Sequence, residues 1–428
     1  MRPPEAKPSC DSMDAWAPSA MPPLRSGPPY IMAEVIAHEP AAVERLVRDA
    51  RVTGEAQAIA ELLRPRPGRE PGRPGPGSRR STPTGSEPDG TWPSAVVGCG
   101  SSEHAALAAA AIWREAWRHA GLPGPGPVAR QSFEAAQDPW PGTTIAISHE
   151  GGTWATAEAL HAARAAGARV GLITAGANGP CASLAEVVLC TRELDPSWCH
   201  TLGFLAPLVA AASVGAELAD RPIDPLVPRR LVEAGIAAED DARALGRALA
   251  TSRTLAVVAS GADRPAGREL ALKVEEASYV PAAYRDLETL LHGHVTALDV
   301  GSGVVLILTD RDGREARVRR ACQLLAAVGR VGARCGAIVT AGASAAIPGH
   351  LTPAGRIVIP EAPDLPAPAA AAIGSAVPLQ LTAYHMALAL GTNPDALRRE
   401  ATQYRLAAET LAVELPAAGT DRPAAGRR

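Results

Sequence analysis

The chain has 428 residues, of which 46% are hydrophobic and 20% are charged, and its formal net charge at pH 7 is −3. This length is enough for two domains of ordinary size, and the small net charge argues against a nucleic acid or a membrane surface as a partner. The seven Cys lack CxxC spacing, the Pro-rich start has no leader pattern, and no apolar run is long enough to span a membrane. We therefore expect a cytoplasmic protein.

The first 92 residues are predicted to contain one helix between two segments that do not fold. Residues 1–31 are rich in Pro and polar residues and are expected to be disordered. Residues 32–63 carry apolar side chains at helical spacing, among them Ile36 and Val43, and are predicted to form an N-terminal helix. Residues 64–92 are dense in Pro, Gly and Arg, which indicates a flexible insertion.

From residue 93 onwards, short apolar runs alternate with Ala-rich helical stretches. Continuous apolar strands separated by helices are typical of a parallel sheet that is covered on both faces. The fold class is therefore α/β, with a first domain at 93–221, a second at 230–392, a Pro-containing bridge at 218–230, and a C-terminal helix and tail at 393–428. The predicted strands are 95–97, 128–130, 144–147, 169–173 and 187–189, then 254–259, 279–283, 304–308, 335–339 and 357–359.

Two turns of the first predicted domain are candidates for ligand binding, since open parallel sheets bind ligands beyond the carboxyl ends of their strands. Small residues allow a ligand to approach the backbone closely, and helix N-termini favour anions. Alternatively, Ser102 or Thr153 only caps its helix. The candidate residues are Cys99, Gly100, Ser101 and Ser102 after the first strand, and Ser148, His149, Glu150 and Thr153 after the third.

A second set of polar residues lies in the second predicted domain. Glu269, Lys273 and Glu276 are spaced i, i+4, i+7 and so share one face of a helix. Lys273 is one of only two Lys in a chain rich in Arg, which indicates a need for a compact amine with a tunable pKa. A solvated salt-bridge stripe has the same spacing. His292, which precedes Gly293, is equally compatible with a structural role.

Together these residues resemble the sugar isomerase (SIS) family, and most closely the tandem isomerase half of glucosamine-6-phosphate synthase. Residues 32–40 resemble the N-terminal helix of the family, 98–102 its first phosphate loop, and 148–153 its S-x-S-G-x-T loop. Residues 271–276 resemble A-L-K-x-x-E, 291–293 the downstream H-G, and 379–385 the last helix. The resemblance covers residues 32–399 apart from the insertion, and implies two tandem flavodoxin-like domains, each with helices on both faces of a parallel sheet.

The resemblance also implies an isomerase or deaminase type of enzyme that acts on an open-chain sugar phosphate. Glu276 would move a proton between C1 and C2, Lys273 would stabilise the enediolate, and His292 would open the ring from the partner subunit of a homodimer. Glu269 and the two loops would bind the sugar derivative. No cofactor and no metal is expected.

Several departures from the family pattern keep a second interpretation open. Glu150 stands at the second Ser of the phosphate loop, where a carboxylate repels phosphate. Thr402 stands near the tail lysine that forms an imine in the synthase, and no Lys follows Lys273. The Thr-Lys pair of the family is also lost, and His200 either replaces that Lys as a cation or caps a helix.

Because no glutaminase domain is expected before the SIS pair, ammonia from glutamine is not expected either. The alternative function is therefore a non-catalytic regulatory protein that binds a sugar phosphate. A Rossmann-type nicotinamide enzyme is disfavoured, because Gly98 and Gly100 are not followed by the third Gly of that fingerprint.

Overall fold

A computed structural model describes residues 22–65 and 92–412 of the chain. Most of the predicted insertion at 64–92 and of the predicted disordered segment at 1–31 lies outside these residues. The described N-terminal segment forms two helices, α1 (Ile31–Val52) and α2 (Glu55–Leu63). The prediction of a single helix over 32–63 is wrong in this respect, because Gly54 between the two helices takes a left-handed φ of 73°.

The first α/β unit is a five-stranded parallel sheet in the order β2-β1-β3-β4-β5. Its strands are β1 (Ala95–Gly98), β2 (Val128–Gln131), β3 (Thr143–Ile147), β4 (Arg169–Thr174) and β5 (Val187–Cys190). Its helices are α3 (Ser101–His119), α4 (Ser132–Gln137), α5 (Trp154–Ala165), α6 (Pro180–Leu184) and α7 (Leu202–Ala219). This strand order is that of the flavodoxin-like fold.

Two helices, α8 (Leu226–Ala237) and α9 (Glu239–Leu249), connect the first unit to the second. The bridge predicted over 218–230 is therefore helical from Leu226 onwards, and only the short segment after α7 is a linker.

The second α/β unit repeats the same strand order, read as β7-β6-β8-β9-β10, and is also parallel throughout. Its strands are β6 (Thr254–Ala259), β7 (Ala282–Asp286), β8 (Ser302–Leu308), β9 (Arg334–Thr340) and β10 (Gly355–Ile359). Its helices are α10 (Arg264–Ser278), α11 (Leu287–Leu291), α12 (Arg314–Arg330), α13 (Ala341–Ala346) and α14 (Ala367–Leu390), and α15 (Thr402–Ala412) follows.

The seventh strand starts three residues later than the predicted 279–283. The chain leaves α10 at Tyr279, whose φ of 59° is left-handed, and only then extends into β7 at Ala282. The other nine strands coincide with their predicted positions to within two residues, and both sheets carry helices on both faces, so the predicted architecture is confirmed.

The two units share one apolar core. Successive side chains of a strand point to opposite faces of the sheet. One face packs into the shared core and the other into a separate core of each sheet; for example, Val96 lies in the shared core and Val97 in the separate core of the first sheet. The helices α3, α7, α10 and α14 pack against one another at the centre. Among the described helices, only α7 is long and apolar enough to cross a membrane, and 83% of it is buried inside the protein.

Candidate functional site

The candidate site lies where α3 of the first unit meets α10 of the second. Helix α3 begins directly after β1, so Ser101 stands at the carboxyl edge of the first sheet. Glu269 and Lys273 are adjacent on one face of α10 and both contact Ser101. The Ser101 hydroxyl donates to Glu269 Oε1 at 2.8 Å and accepts from Lys273 Nζ at 3.2 Å.

Lys273 is the centre of a buried charge cluster. Its side chain is 1% exposed, and its Nζ lies 3.2 Å from Glu269 Oε1 and 2.6 Å from Glu276 Oε2. His104, one turn into α3, reaches the other oxygen of Glu269 with its Nδ1 at 2.7 Å. The spacing i, i+4, i+7 therefore forms a buried ion cluster between two units, and the interpretation as a solvated salt-bridge stripe is wrong.

The ionisation of the three α10 residues follows from this geometry. Burial opposes charge on Glu269, but Lys273 and His104 together lower its pKa to about 2. Burial likewise opposes charge on Lys273, and the two carboxylates outweigh it and hold the pKa of the amine well above its ordinary value. Burial raises the pKa of Glu276, with Lys273 opposing that rise. A carboxylate whose pKa moves upward becomes a better proton acceptor near neutral pH.

One oxygen of Glu276 is held and the other is available. Oε2 accepts from Lys273 and, at 3.6 Å, from the buried Cys199 thiol. Oε1 has no hydrogen bond to any of the described residues. Glu276 also lines an open cavity of about 410 Å³, so a molecule that enters this cavity comes within reach of its side chain.

The turn after β3 is held by hydrogen bonds from the turn after β4. Thr174 Oγ1 and the amides of Ala175 and Gly176 all donate to the carbonyl of His149. A Cβ on Gly176 would lie 2.1 Å from the carbonyl oxygen of Glu150, which leaves room only for glycine. This second turn is a part of the site that the sequence analysis missed, although its glycines mark it.

The predicted loop residues differ in their contacts. Cys99 lies 3.8 Å from the Thr156 hydroxyl and 3.7 Å from the Gln131 amide, and Gly100 takes a left-handed φ of 58°. The Ser148 hydroxyl lies 3.5 Å from that of Thr153. Neither capping alternative holds: Ser102 lies inside α3, whose N-cap is Gly100, and Thr153 forms no side-chain cap on α5.

Two imidazoles lie in contact beside the turn after β3, with their planes tilted by 52°. The rings of His149 and His200 lie 4.6 Å apart, and His149 Nε2 accepts from the amide of Asp195 at 2.9 Å. Burial and mutual repulsion lower the pKa of His149 to about 4. Burial and the charge of Lys273 lower the pKa of His200 to about 4. His200 is therefore neutral at neutral pH and does not replace a lysine, and it does not cap α7, whose N-cap is Thr201.

Glu150 lies close enough to both imidazoles that its charge raises the pKa of each, against the effect of burial. The turn after β3 therefore carries a carboxylate next to two neutral rings. Asp195 orders the neighbouring segment, because its carboxylate accepts from the amides of Ser197, Thr201 and Gly203. That segment places Cys199 against Glu276.

His292 is not brought to the site within one chain. Its side chain is 72% exposed, and its Nε2 lies 2.8 Å from Glu288 Oε1, which is also held by Arg320. Among the described residues it has no contact with Glu276 or Lys273. The single chain therefore does not test the expectation that His292 acts from a partner subunit.

The C-terminal segment is a further part of the site that the sequence analysis did not single out. The Asp395 carboxylate accepts from the amides of Ile31 and Met32 and from the Ser197 hydroxyl, so it joins the tail to both α1 and the segment of Cys199. Arg398 and Tyr404 then line the cavity that contains Glu276. No group of three His, Cys, Asp or Glu in residues 22–65 and 92–412 is arranged to hold a metal ion.

Residues 248–390, which span the second sheet and the helices α10 and α14, match the SIS domain family. The second unit of this chain is a SIS domain. Its match to isomerizing glutamine–fructose-6-phosphate aminotransferases is 31% identical over 268 residues for Streptomyces coelicolor and 28% identical over 260 residues for Pyrococcus horikoshii. Each alignment covers 59% of this chain but only 42% and 41% of the relative, so the SIS protein spans less than half the length of these relatives.

Solved structures agree with this SIS fold over the whole described chain. The C-terminal domain of glucosamine-fructose-6-phosphate aminotransferase from Francisella tularensis superposes with a TM-score of 0.68 at 18% identity, covering 87% of this chain and 99% of that domain. Tagatose-6-phosphate ketose/aldose isomerase from Escherichia coli gives 0.66 at 17% identity, covering 88% and 98%. At such identities the likeness shows the fold, which is two tandem flavodoxin-like SIS domains.

Proposed function

We propose that this SIS protein is an isomerase or amino-sugar deaminase that transfers a proton on an open-chain sugar phosphate. The observation that carries the proposal is the buried Lys273, which ties Glu269 and Glu276 to Ser101 of the other unit. Such a cluster is costly to bury, and one of its carboxylates, Glu276, lines a cavity. The tagatose-6-phosphate isomerase and the aminotransferases to which the chain is similar support the same class of substrate.

In the proposed reaction, Glu276 Oε1 takes the proton from C2 of the open-chain aldose and returns it to C1, while a proton moves between O2 and O1. Lys273 stabilises the negative charge that develops on the enediolate oxygens. Glu269 keeps Lys273 charged, and Ser101 and His104 hold Glu269 in place.

His292 would act from a second copy of the chain. Because it lies exposed on the segment after α11 and away from its own Glu276, a homodimer in the cytoplasm would allow it to complete the partner's site and assist ring opening.

Exchange of substrate protons with solvent tests this proposal directly. The protein is incubated in D₂O with a panel of aldose, ketose and amino-sugar 6-phosphates, and the C1 and C2 protons are followed by NMR. We expect deuterium to enter one sugar, and Glu276→Gln to slow this exchange by about 10²–10⁴-fold, the usual contribution of a general base. Glu315→Gln, on the exposed face of α12, serves as the matched control and should exchange at the wild-type rate.

A second function, binding of a sugar derivative without turnover, is favoured by Glu150 in the phosphate-loop turn and by the absence of Lys after Lys273. If no sugar of the panel exchanges while one of them raises the melting temperature, the chain is a sugar-binding SIS protein and the catalytic proposal is wrong.

A further inference from the structure

The cations near the candidate site leave a deficit of positive charge. Lys273 is matched by Glu269 and Glu276, and His149 and His200 are neutral at neutral pH because burial lowers the pKa of each to about 4. Glu150 adds a negative charge beside these rings. An acidic sugar therefore needs a cation that this cluster does not supply.

Arg398 is a cation that forms no ion pair with a carboxylate of the described residues. Its guanidinium lies between two aromatic rings, 4.5 Å from the centroid of Tyr279 and 4.7 Å from that of Tyr404. Its Nη1 donates to the Tyr404 hydroxyl at 2.7 Å. Most of its five N–H donors therefore remain available, in a side chain that is already held in place.

The position of Arg398 joins it to the proposed chemistry. Arg398, Tyr279, Tyr404 and Glu276 line the same cavity of about 410 Å³, together with the apolar side chains of Val280, Pro281 and Leu397. Tyr279 follows Glu276 by three residues, at the end of α10, so the ring that contacts the guanidinium belongs to the same short segment as the proposed base.

The backbone at this point is also unusual. Leu397 and Arg398 have φ values of 46° and 63°, which non-glycine residues seldom adopt. Such strain persists only where the surroundings impose it, and it concentrates at functional sites. Here Asp395 fixes the segment from one side and the two Tyr rings from the other.

We propose that Arg398 is the anion anchor of this site and that it binds the phosphate or carboxylate group of an acidic sugar at the C-terminal rim of the cavity. This inference rests on the proposed function and specifies its substrate class. In place of the turn that carries Glu150, the acidic group is held by a guanidinium, whose planar fork matches two oxygens of a phosphate or carboxylate.

Calorimetric titration with four probes tests the anchor: fructose 6-phosphate, glucuronate, fructose and glucose. We expect the wild-type protein to bind at least one of the two acidic sugars more tightly than its neutral counterpart. Arg398→Gln should lower the affinity for that acidic sugar by about 10–100-fold and leave the affinities for the neutral sugars unchanged. Arg398→Lys should restore part of the lost affinity. The two acidic probes distinguish a phosphate from a carboxylate ligand.

Arg399→Gln is the matched control, because Arg399 also stacks on an aromatic ring, that of Trp198 at 4.3 Å, but does not line the cavity. Melting temperatures of both variants separate a loss of folding from a loss of binding, and Arg398→Lys covers the case in which Arg398→Gln does not fold. Equal affinities of the Arg398→Gln and Arg399→Gln variants for the acidic sugars, or a wild-type protein that prefers neutral sugars, would overturn the anchor.

The two proposals fail separately. If deuterium exchange depends on Glu276 but calorimetry shows no preference for acidic sugars that depends on Arg398, only the proposal of an anion anchor is wrong. Binding that depends on Arg398 without any exchange removes the catalytic proposal and leaves the anchor in a binding protein.

Discussion

The two sheets of this protein have the same strand order, but their carboxyl edges differ. The edge of the first sheet presents the hydroxyl of Ser101, the rings of His149 and His200 and the carboxylate of Glu150. The edge of the second sheet is filled by its own carboxylates. Asp263 accepts from the amides of Thr309 and Asp310.

Glu361 continues this closure of the second edge. Its carboxylate accepts from the amide of Gly342 at 3.1 Å and lies 2.7 Å from Arg314, the kinds of contact that a bound anion would otherwise make. One strand topology thus supports two outcomes: the edge of the first unit receives the helix α10 of the second, and the second unit fills its own edge with carboxylates. The following variants test this difference.

The largest expected effect comes from Lys273, which joins the two units. Lys273→Met leaves the fully buried Glu269 without its main cation, and we expect the free energy of unfolding to fall by about 3–5 kcal/mol in chemical denaturation. Adding Glu269→Gln should recover part of this loss, because the second change removes the unpaired charge. Arg253→Met, at an exposed ion pair with Asp299, should change stability by no more than about 1 kcal/mol. A comparable loss in both single variants would contradict the central role of the buried cluster.

A pair of Asp→Asn variants compares the edges with each other. Asp195→Asn and Asp263→Asn each weaken buried hydrogen bonds from backbone amides, and each should lower the free energy of unfolding by about 1–3 kcal/mol. Only Asp195→Asn should also lower the affinity for the sugar that the exchange or melting experiments identify. Asp195 orders the segment that contains Cys199, which contacts Glu276. Equal weakening by Asp263→Asn, measured by calorimetry, would show that the second edge also binds the ligand.

Over any single pH unit, the smallest effect is the acid sensitivity of the first edge. The pKa of His200 is about 4 in the folded chain against an ordinary value of 6.5, so between these values the unfolded chain binds more protons. Stability contributed by neutral His200 is complete above pH 6.5 and is lost as the pH falls toward 4, by up to about 1.4 kcal/mol per pH unit. Unfolding at several pH values should show a shallower dependence for His200→Gln than for the wild type. Parallel curves would mean that the pKa of His200 is the same in the folded and unfolded chains.

The strands could be predicted because nine of them are continuous apolar runs between Ala-rich helices, a pattern that local sequence determines. The start of β7 could not, since α10 ends at Tyr279 through a left-handed turn that apolar periodicity does not encode. Likewise, the shared face of Glu269, Lys273 and Glu276 follows from helical spacing; the structure buries Glu269 and Lys273 and leaves Glu276 partly exposed. That they meet Ser101 and His104 depends on the packing of α3 on α10, more than 160 residues apart in sequence.

The roles of Asp195 and Arg398 were missed for a related reason. Each lies in an irregular segment without periodicity, and its importance comes from contacts with backbone amides or rings that are distant along the chain. The proposed role of His292 stays a prediction, because within one chain it contacts Glu288 instead.

The contact of Asp395 with the start of α1 has a consequence for biosynthesis. Synthesis proceeds from the N-terminus, so the amides of Ile31 and Met32 cannot receive their carboxylate until residue 395 has left the ribosome, 364 and 363 residues later. The first sheet can assemble earlier. The Ser197 hydroxyl also donates to Asp395, so this hydrogen bond forms only after residue 395 has been synthesised. The candidate site is therefore completed at the end of translation, and a chain that stops short of Asp395 leaves it unfinished.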